Sequence, residues 1–191
     1  METNLDVCRE SSALVVIDLQ KGIASRNTTP HDAKTVISNS AKLLEVFRSH
    51  GMPVFLVHVV ATGPERLNPN ADEKWPAPQN MPSDWSDFVD EMKPRESDIV
   101  IVKKQWGAFY GTELDLQLRR RGMKTIVLCG IATNYGVEST ARFAYEYGYQ
   151  QIFAEDAMAS MSAEMHAASV NFVLKRLGRV RSTEEILSAL A

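Results

Sequence analysis

The chain has 191 residues, 45% of them hydrophobic and 24% charged, a length and balance suited to one globular domain able to bury a substantial core. Twenty-four acidic against 21 basic residues leave a net charge of −3, so no basic field is available to hold a phosphate backbone and nucleic acid is not an expected partner. Two cysteines, Cys8 and Cys129, cannot build a disulfide framework and are expected to be thiols in a reducing compartment. The first residues lack a basic region followed by an apolar one, and no apolar run approaches the roughly 20 residues of a membrane span. A cytoplasmic protein without a membrane partner is expected.

In chain order, residues 13–18 (ALVVID) form a β-branched apolar run without polar alternation, the pattern of a strand covered on both faces. Residues 30–50 carry Val36, Ile37, Leu43, Leu44 and Phe47 at helical spacing. Thr29 is the expected cap, Pro30 the first helical position and Gly51 the stop. Residues 53–60 (PVFLVHVV) read as a second strand. Residues 61–97 then hold six of the eight prolines and two of the three tryptophans, Trp75 and Trp85. A connection this long is either a functional loop, with a short helix near 84–92, or an ordered insertion that covers a sheet edge or makes a subunit contact.

The strand signature returns at 98–102 (DIVIV), 125–129 (TIVLC) and 151–154 (QIFA), and more weakly around Val180. Helices are predicted over 112–121, with Thr112 as cap and Gly122 as stop, over 136–147 ending at Gly148, and over 162–177 ending at Gly178. Ser182 with Glu185 forms a capping box that opens a terminal helix. Strand and helix alternate throughout, which predicts a single α/β domain over residues 1–191, a parallel sheet with helices on both faces.

In such sheets ligands bind beyond the carboxyl ends of the strands. That filter selects Asp18, His58, Lys103 with Lys104, the loop 130–136, and Glu155 with Asp156. Asp18 ends a buried run, where desolvation raises a carboxyl pKa and suits it to proton transfer; capping a backbone turn is the alternative role. Lys103 can pair with it, while strand alternation turns Lys104 to solvent. Residues 129–140 (CGIATNYGVEST) run from a strand through a tight polar turn into a helix, where backbone N–H groups can hold an oxyanion; Thr133 and Asn134 are also plausible caps. His58 and Cys129 lack metal-ligand partners at close spacing, and no metal is expected. Trp106, Phe109 and Tyr110 either line a pocket or simply pack.

Taken together, VVIDLQ (15–20), VKKQWGAF (102–109), GIATNYGVEST (130–140) and EDAMAS (155–160) resemble the isochorismatase-like hydrolases, the cysteine hydrolase superfamily. The resemblance spans residues 14–190. It implies a three-layer α/β/α sandwich around a six-stranded parallel sheet, a homo-oligomer of two or more chains, a small-molecule substrate and no cofactor. It also implies a catalytic Asp, Lys and Cys. Asp18 and Lys103 match the first two, and Gln20 accompanies the aspartate. Ala132 and Gly136 supply oxyanion-holding backbone, and Gln20, Trp106, Phe109, Thr133 and Tyr135 are expected around the substrate. A cis peptide is expected in the turn.

The family cysteine falls on Gly136, which has no nucleophile to offer. Cys129 lies seven positions upstream in the strand. Thr133 and Ser139 would each need an aligned base, and neither matches a family position for one. The Asp and two spaced His of nicotinamidases are absent around His58. The resemblance therefore implies a hydrolase of ether or C–N bonds that works without a thiolate. Asp18 is the acid/base, and a small carboxylated substrate such as the vinyl ether of isochorismate is the expected class. The alternatives are a disarmed member that only binds a small molecule or partner, or an amidase-branch hydrolase, since Ala132-Thr133-Asn134 resembles the amidase turn.

Overall fold

The computed structural model describes residues 5, 7–60, 67, 69–73 and 81–191. Each apolar run becomes a strand of one parallel sheet: β1 (Ser12–Ile17), β2 (Val54–Val59), β3 (Ile99–Lys103), β4 (Thr125–Ile131), β5 (Gln150–Ala159) and β6 (Arg179–Arg181). Their spatial order is β3-β2-β1-β4-β5-β6. The order reverses between β1 and β4, so the connections leaving these two strands part toward opposite faces and open a crevice beyond their carboxyl ends.

Among the described residues, seven α-helices accompany the sheet: α1 (Lys21–Ala24), α2 (Ala33–Ser49), α3 (Leu114–Arg120), α4 (Glu138–Glu146), α5 (Ala163–Ala168), α6 (Lys175–Leu177) and α7 (Thr183–Leu190). Strand alternation divides the core between them. Leu14 and Val16 of β1 face α2 and α7, meeting Val36, Leu43, Leu44, Phe47, Ile186 and Leu190. Ala13, Val15 and Ile17 face the other way, toward Leu114, Leu118, Ala141, Ala144 and Leu174. Every one of these side chains is essentially fully buried, worth about 1.5–3 kcal/mol for each large aliphatic or aromatic one. The result is the three-layer α/β/α sandwich. No helix among the described residues is long and apolar enough to cross a membrane.

At Gly130, φ is +121°, and a Cβ would stand 2.0 Å from the Ile17 carbonyl oxygen. Glycine is therefore what lets β1 and β4 close on each other at the switch point. The capping box of Ser182 and Glu185 forms as predicted, and Ser162 caps α5 by accepting from the Met165 N–H.

Four expectations are corrected. Helix α2 begins at Ala33, not at Pro30. Thr29 pairs its backbone N–H and C=O with Ser160 and joins Pro30 through a cis peptide, which leaves Asp32 to cap the helix by accepting from the Thr35 N–H at 2.7 Å. Strand β5 runs five residues past its apolar core, because Asp156 is held in place: its Oδ1 accepts from both the N–H and the hydroxyl of Thr183. The helices predicted over 136–147 and 162–177 both contain wide π turns, at Thr133–Val137 and Ser169–Leu174.

Residues 84–92 are not a helix beyond a single 3-10 turn at Asp90–Met92. Residues 85–89 instead lie alongside 19–22: the Trp85 and Asp87 carbonyls accept from the Gly22 and Lys21 N–H groups, and the Val89 N–H donates to the Leu19 carbonyl. The Trp85 ring covers Gly22, where a Cβ would come within 2.0 Å of it. Trp85 is thus a partly buried anchor. Trp75 lies outside the described residues.

Candidate active site

Asp18 is the first residue beyond β1, at φ +52°, with its N–H held by the Val57 carbonyl at 2.9 Å. Lys103 ends β3 and reaches past β2 to place Nζ 2.7 Å from Asp18 Oδ2, with a second bond to the Gln105 carbonyl at 3.1 Å. Both side chains are nearly inaccessible, at 5% and 1% exposure. Lys104, one residue on, is exposed as alternation requires.

The pair is unequally satisfied. Oδ2 of Asp18 has the ammonium, whereas Oδ1 is buried with no hydrogen-bond partner. A buried carboxylate oxygen left this way costs free energy that a proton would relieve. Burial accordingly pushes the Asp18 carboxyl above its ordinary value, outweighing the opposing pull of Lys103 and, more weakly, of His58 and the Val59 N–H. The two influences that compete on such a residue, desolvation and a neighbouring cation, resolve here in favour of desolvation.

Opposite this carboxyl stands the turn after β4. The Ile131–Ala132 peptide is cis, and the π turn Thr133–Val137 follows directly. Gly136 faces Asp18: a Cβ built there would lie 3.1 Å from Asp18 Oδ2 and 2.9 Å from Ile17 Cγ2. A side chain at 136 would thus point at the Asp18–Lys103 pair, and the space is fitted to glycine. Trp106 and Tyr135 flank this point with ring centroids 4.9 Å apart, Trp106 being half exposed at 53%.

Cys129 is on the wrong side of the sheet. It is buried in the core beneath α2, 3.6 Å from the Ser40 hydroxyl, and burial pushes its thiol up to about 12. It is a packing residue. Cys8 is exposed, with its Sγ 3.2 Å from Glu10.

Three of the residues expected around a substrate are engaged elsewhere. Gln20 is fully buried, and its amide clamps backbone: Oε1 accepts from the Val59 N–H, while Nε2 donates to the Val59 and Trp85 carbonyls. It positions the segment 85–89 behind Asp18. Phe109 packs in the core under α3 and α4, against Tyr147 and Tyr149. Thr133 is fully buried, with its hydroxyl 2.9 Å from His166 Nδ1. The aligned base that the sequence did not offer Thr133 is therefore present, though the threonine is enclosed. His58 bonds the Ser86 carbonyl at 2.7 Å and stacks on Phe88.

A second cluster escaped the sequence reading. His166 Nε2 and His31 Nε2 converge on Glu155 Oε1 at 2.8 and 3.2 Å. Residues 31, 155 and 166 share no motif spacing, and only the β5 extension and the folded 28–31 loop bring them together. The sole sequence signal was Glu155, at a strand's carboxyl end.

A sheet of this order, with a buried Asp–Lys pair at its switch point facing a tight backbone turn, defines an α/β protein with a candidate site beyond the carboxyl ends of its strands. Comparison with known proteins agrees. Residues 12–185 match the isochorismatase domain. The chain is 50% identical to the isochorismatase family protein YecD of Escherichia coli O157:H7, over 97% of this chain and 100% of that one. It is 31% identical to the ureidoacrylate amidohydrolase RutB of Variovorax paradoxus, over 94% and 81%. Among solved structures, an isochorismatase family protein of Burkholderia thailandensis superposes with a TM-score of 0.90 at 39% identity, covering 95% and 96%. The N-carbamoylsarcosine amidase of Thermoplasma acidophilum gives 0.72 at 28%, covering 91% and 97%. The chain belongs to the isochorismatase family of hydrolases.

Proposed function

We propose that this protein hydrolyses a small carboxylated substrate without a covalent intermediate, with Asp18 as general acid and Lys103 as its electrostatic partner. The observation that carries the reading is the unpartnered Oδ1 of Asp18 in a site where residue 136 has no side chain. A protonated Oδ1 is a donor aimed at substrate, while Lys103 holds Oδ2 and fixes the carboxyl plane.

The bond that suits such a site is a vinyl ether of the isochorismate type. Asp18 delivers its proton to the terminal methylene carbon, and the resulting oxocarbenium ion is captured by water. The hemiketal then collapses, its hydroxyl proton passing to the departing ring oxygen, to give pyruvate and a dihydrodiol. One water is consumed and Asp18 recovers a proton from solvent. Lys103 supplies positive charge beside the substrate's carboxylates, and the backbone N–H groups of Ala132 and Gly136 are available to its oxygens. Trp106 and Tyr135 form an apolar rim for the ring. No step needs a thiolate, which accounts for glycine at 136.

An amide substrate is the second reading, favoured by the 31% identity to an amidohydrolase and by the Ala132-Thr133-Asn134 turn. Two of its candidate nucleophiles, Cys129 and Thr133, are buried. The test is continuous detection of pyruvate from isochorismate, with Asp18→Asn alongside. Release abolished by the substitution supports the proposal. Calorimetric binding with intact isochorismate recovered afterwards would assign a binding role instead.

A further inference from the structure

We propose that His31, Glu155 and His166 form a site for one divalent transition-metal ion of the zinc class, separate from the Asp18–Lys103 pair. One ligand atom from each of His31, Glu155 and His166 lies within 4.8 Å of the other two. Around a tetrahedral zinc with bonds near 2.0–2.2 Å, neighbouring ligand atoms stand roughly 3.3 Å apart. The two nitrogen–oxygen separations present, 3.2 and 2.8 Å, need only a slight spreading to admit an ion. The two imidazole rings meet edge to face, 84° between planes with centroids 5.9 Å apart, so both Nε2 atoms reach the same oxygen without the rings colliding.

The donor set and its support match what such an ion requires. Two imidazoles and one carboxylate are a known three-ligand zinc set that leaves a fourth position to water. The exposures suit that arrangement: His166 is closed off at 4%, while His31 and Glu155 are 26% and 33% exposed and leave one side open for entry. His166 also has its outer partner in place. With no ion, Glu155 accepts from Nε2–H and Thr133 donates to Nδ1. With Nε2 on a metal, the ring carries its proton on Nδ1 and donates it to the Thr133 hydroxyl, the kind of outer hydrogen bond that orients metal-binding histidines.

Position gives the site a consequence. Thr133 opens the π turn that ends at Val137 and contains Gly136. His166 lies on α5, and His31 lies in the loop before α2, next to the Thr29–Ser160 pairing. An ion held by these three residues ties the loop, strand β5 and helix α5 together and, through Thr133, fixes the turn that faces Asp18.

The test uses the full-length chain carrying Cys8→Ser, which removes the exposed thiol beside Glu10 as a competing ligand. After chelator treatment and desalting, the protein is titrated with Co²⁺, followed by its visible d–d bands, and with Zn²⁺ by calorimetry. One equivalent of each is expected to bind. His31→Asn and Glu155→Gln should each weaken binding at least about tenfold, and Thr133→Val by about tenfold through His166. His31→Asn alters a side chain that is about one-quarter exposed and is expected to keep the wild-type circular dichroism and melting profile. Failure to take up a stoichiometric ion, or uptake undiminished in both His31→Asn and Glu155→Gln, overturns the proposal and leaves the cluster a histidine–carboxylate salt bridge.

Discussion

Two carboxylates at the carboxyl edge of one sheet are treated in opposite ways. Asp18 is dry, bonded through one oxygen to a single cation and left with the other oxygen unmatched, and its carboxyl is pushed up by burial. Glu155 is one-third exposed, holds two histidines on one oxygen, and is pulled down by them. The first environment favours a carboxyl that keeps a proton to give away; the second favours one that stays ionised as a ligand. Environments that push two acids apart in this way separate reactive from structural or ligating roles. Conserved sequence motifs are not needed to see the division, because solvation and partner count decide it.

The largest expected effect comes from removing the reactive member. Asp18→Asn keeps the shape and the Lys103 contact yet has no acidic proton, so pyruvate release should fall by about 10²–10⁴-fold, the usual worth of a positioned general acid. An effect below tenfold would break the contrast with Glu155. Next is Lys103→Met, which leaves the Asp18 carboxyl buried without its cation. Removing one partner of a buried pair costs about 3–5 kcal/mol when the remaining charge persists. Asp18 can shed its charge by protonation, so the cost should grow with pH.

The sign follows from linkage. A carboxyl raised in the folded state binds more protons there than in the unfolded chain, so stability falls as pH rises from its unfolded value through its folded one. Lys103→Met raises the folded value further and extends that window upward. Urea unfolding of the variant and the wild type at pH 5 and pH 8 should show a larger difference at pH 8. An equal difference would mean that Asp18 keeps the same charge at both.

A smaller effect sharpens the role of the turn. Gly136→Ala brings a methyl to 2.9 Å from Ile17 Cγ2 and 3.1 Å from Asp18 Oδ2. Ile17 is β-branched and fully buried, so it yields little, and overpacking of this kind costs about 1–3 kcal/mol. Stability and pyruvate release should both decline, and a fully active, equally stable variant would show that the space is not fitted to glycine. The smallest effect concerns thiols. Cys8 should react with a disulfide reagent in the native protein and Cys129, pushed up to about 12, should not. One thiol should titrate natively and two in denaturant, without loss of activity.

Much of this was legible from residue order. The inner strands β1, β2, β4 and β5 could be read because a doubly covered parallel strand needs an unbroken apolar run, the edge strand β3 from its β-branched run although one face is exposed, β6 only weakly from Val180, and the terminal capping box because it is local chemistry. Asp18, Lys103 and the 130–136 turn were legible because strand ends in such sheets are where sites form. What escaped was tertiary. Gln20 carries nothing to say that its amide closes on Val59 and Trp85, and Phe109 reads equally as pocket or core until its neighbours are known. The start of α2 was misplaced because Pro30 is as good a first helical residue as any, and only the pairing of Thr29 with Ser160 removes it from the helix. His31 and His166 had no sequence partner at all: the fold alone brings them to Glu155.

The central claim is that Asp18 carries a proton where an ordinary aspartate would not. A carbon-13 NMR titration of the aspartate carboxyl carbons, with the Asp18 signal assigned by its absence in Asp18→Asn, measures this without any substrate. The account predicts that Asp18 titrates clearly above the ordinary aspartate value of 3.8. A signal that titrates at or below that value would mean that Lys103 dominates its environment, and would contradict the assignment of Asp18 as the acid.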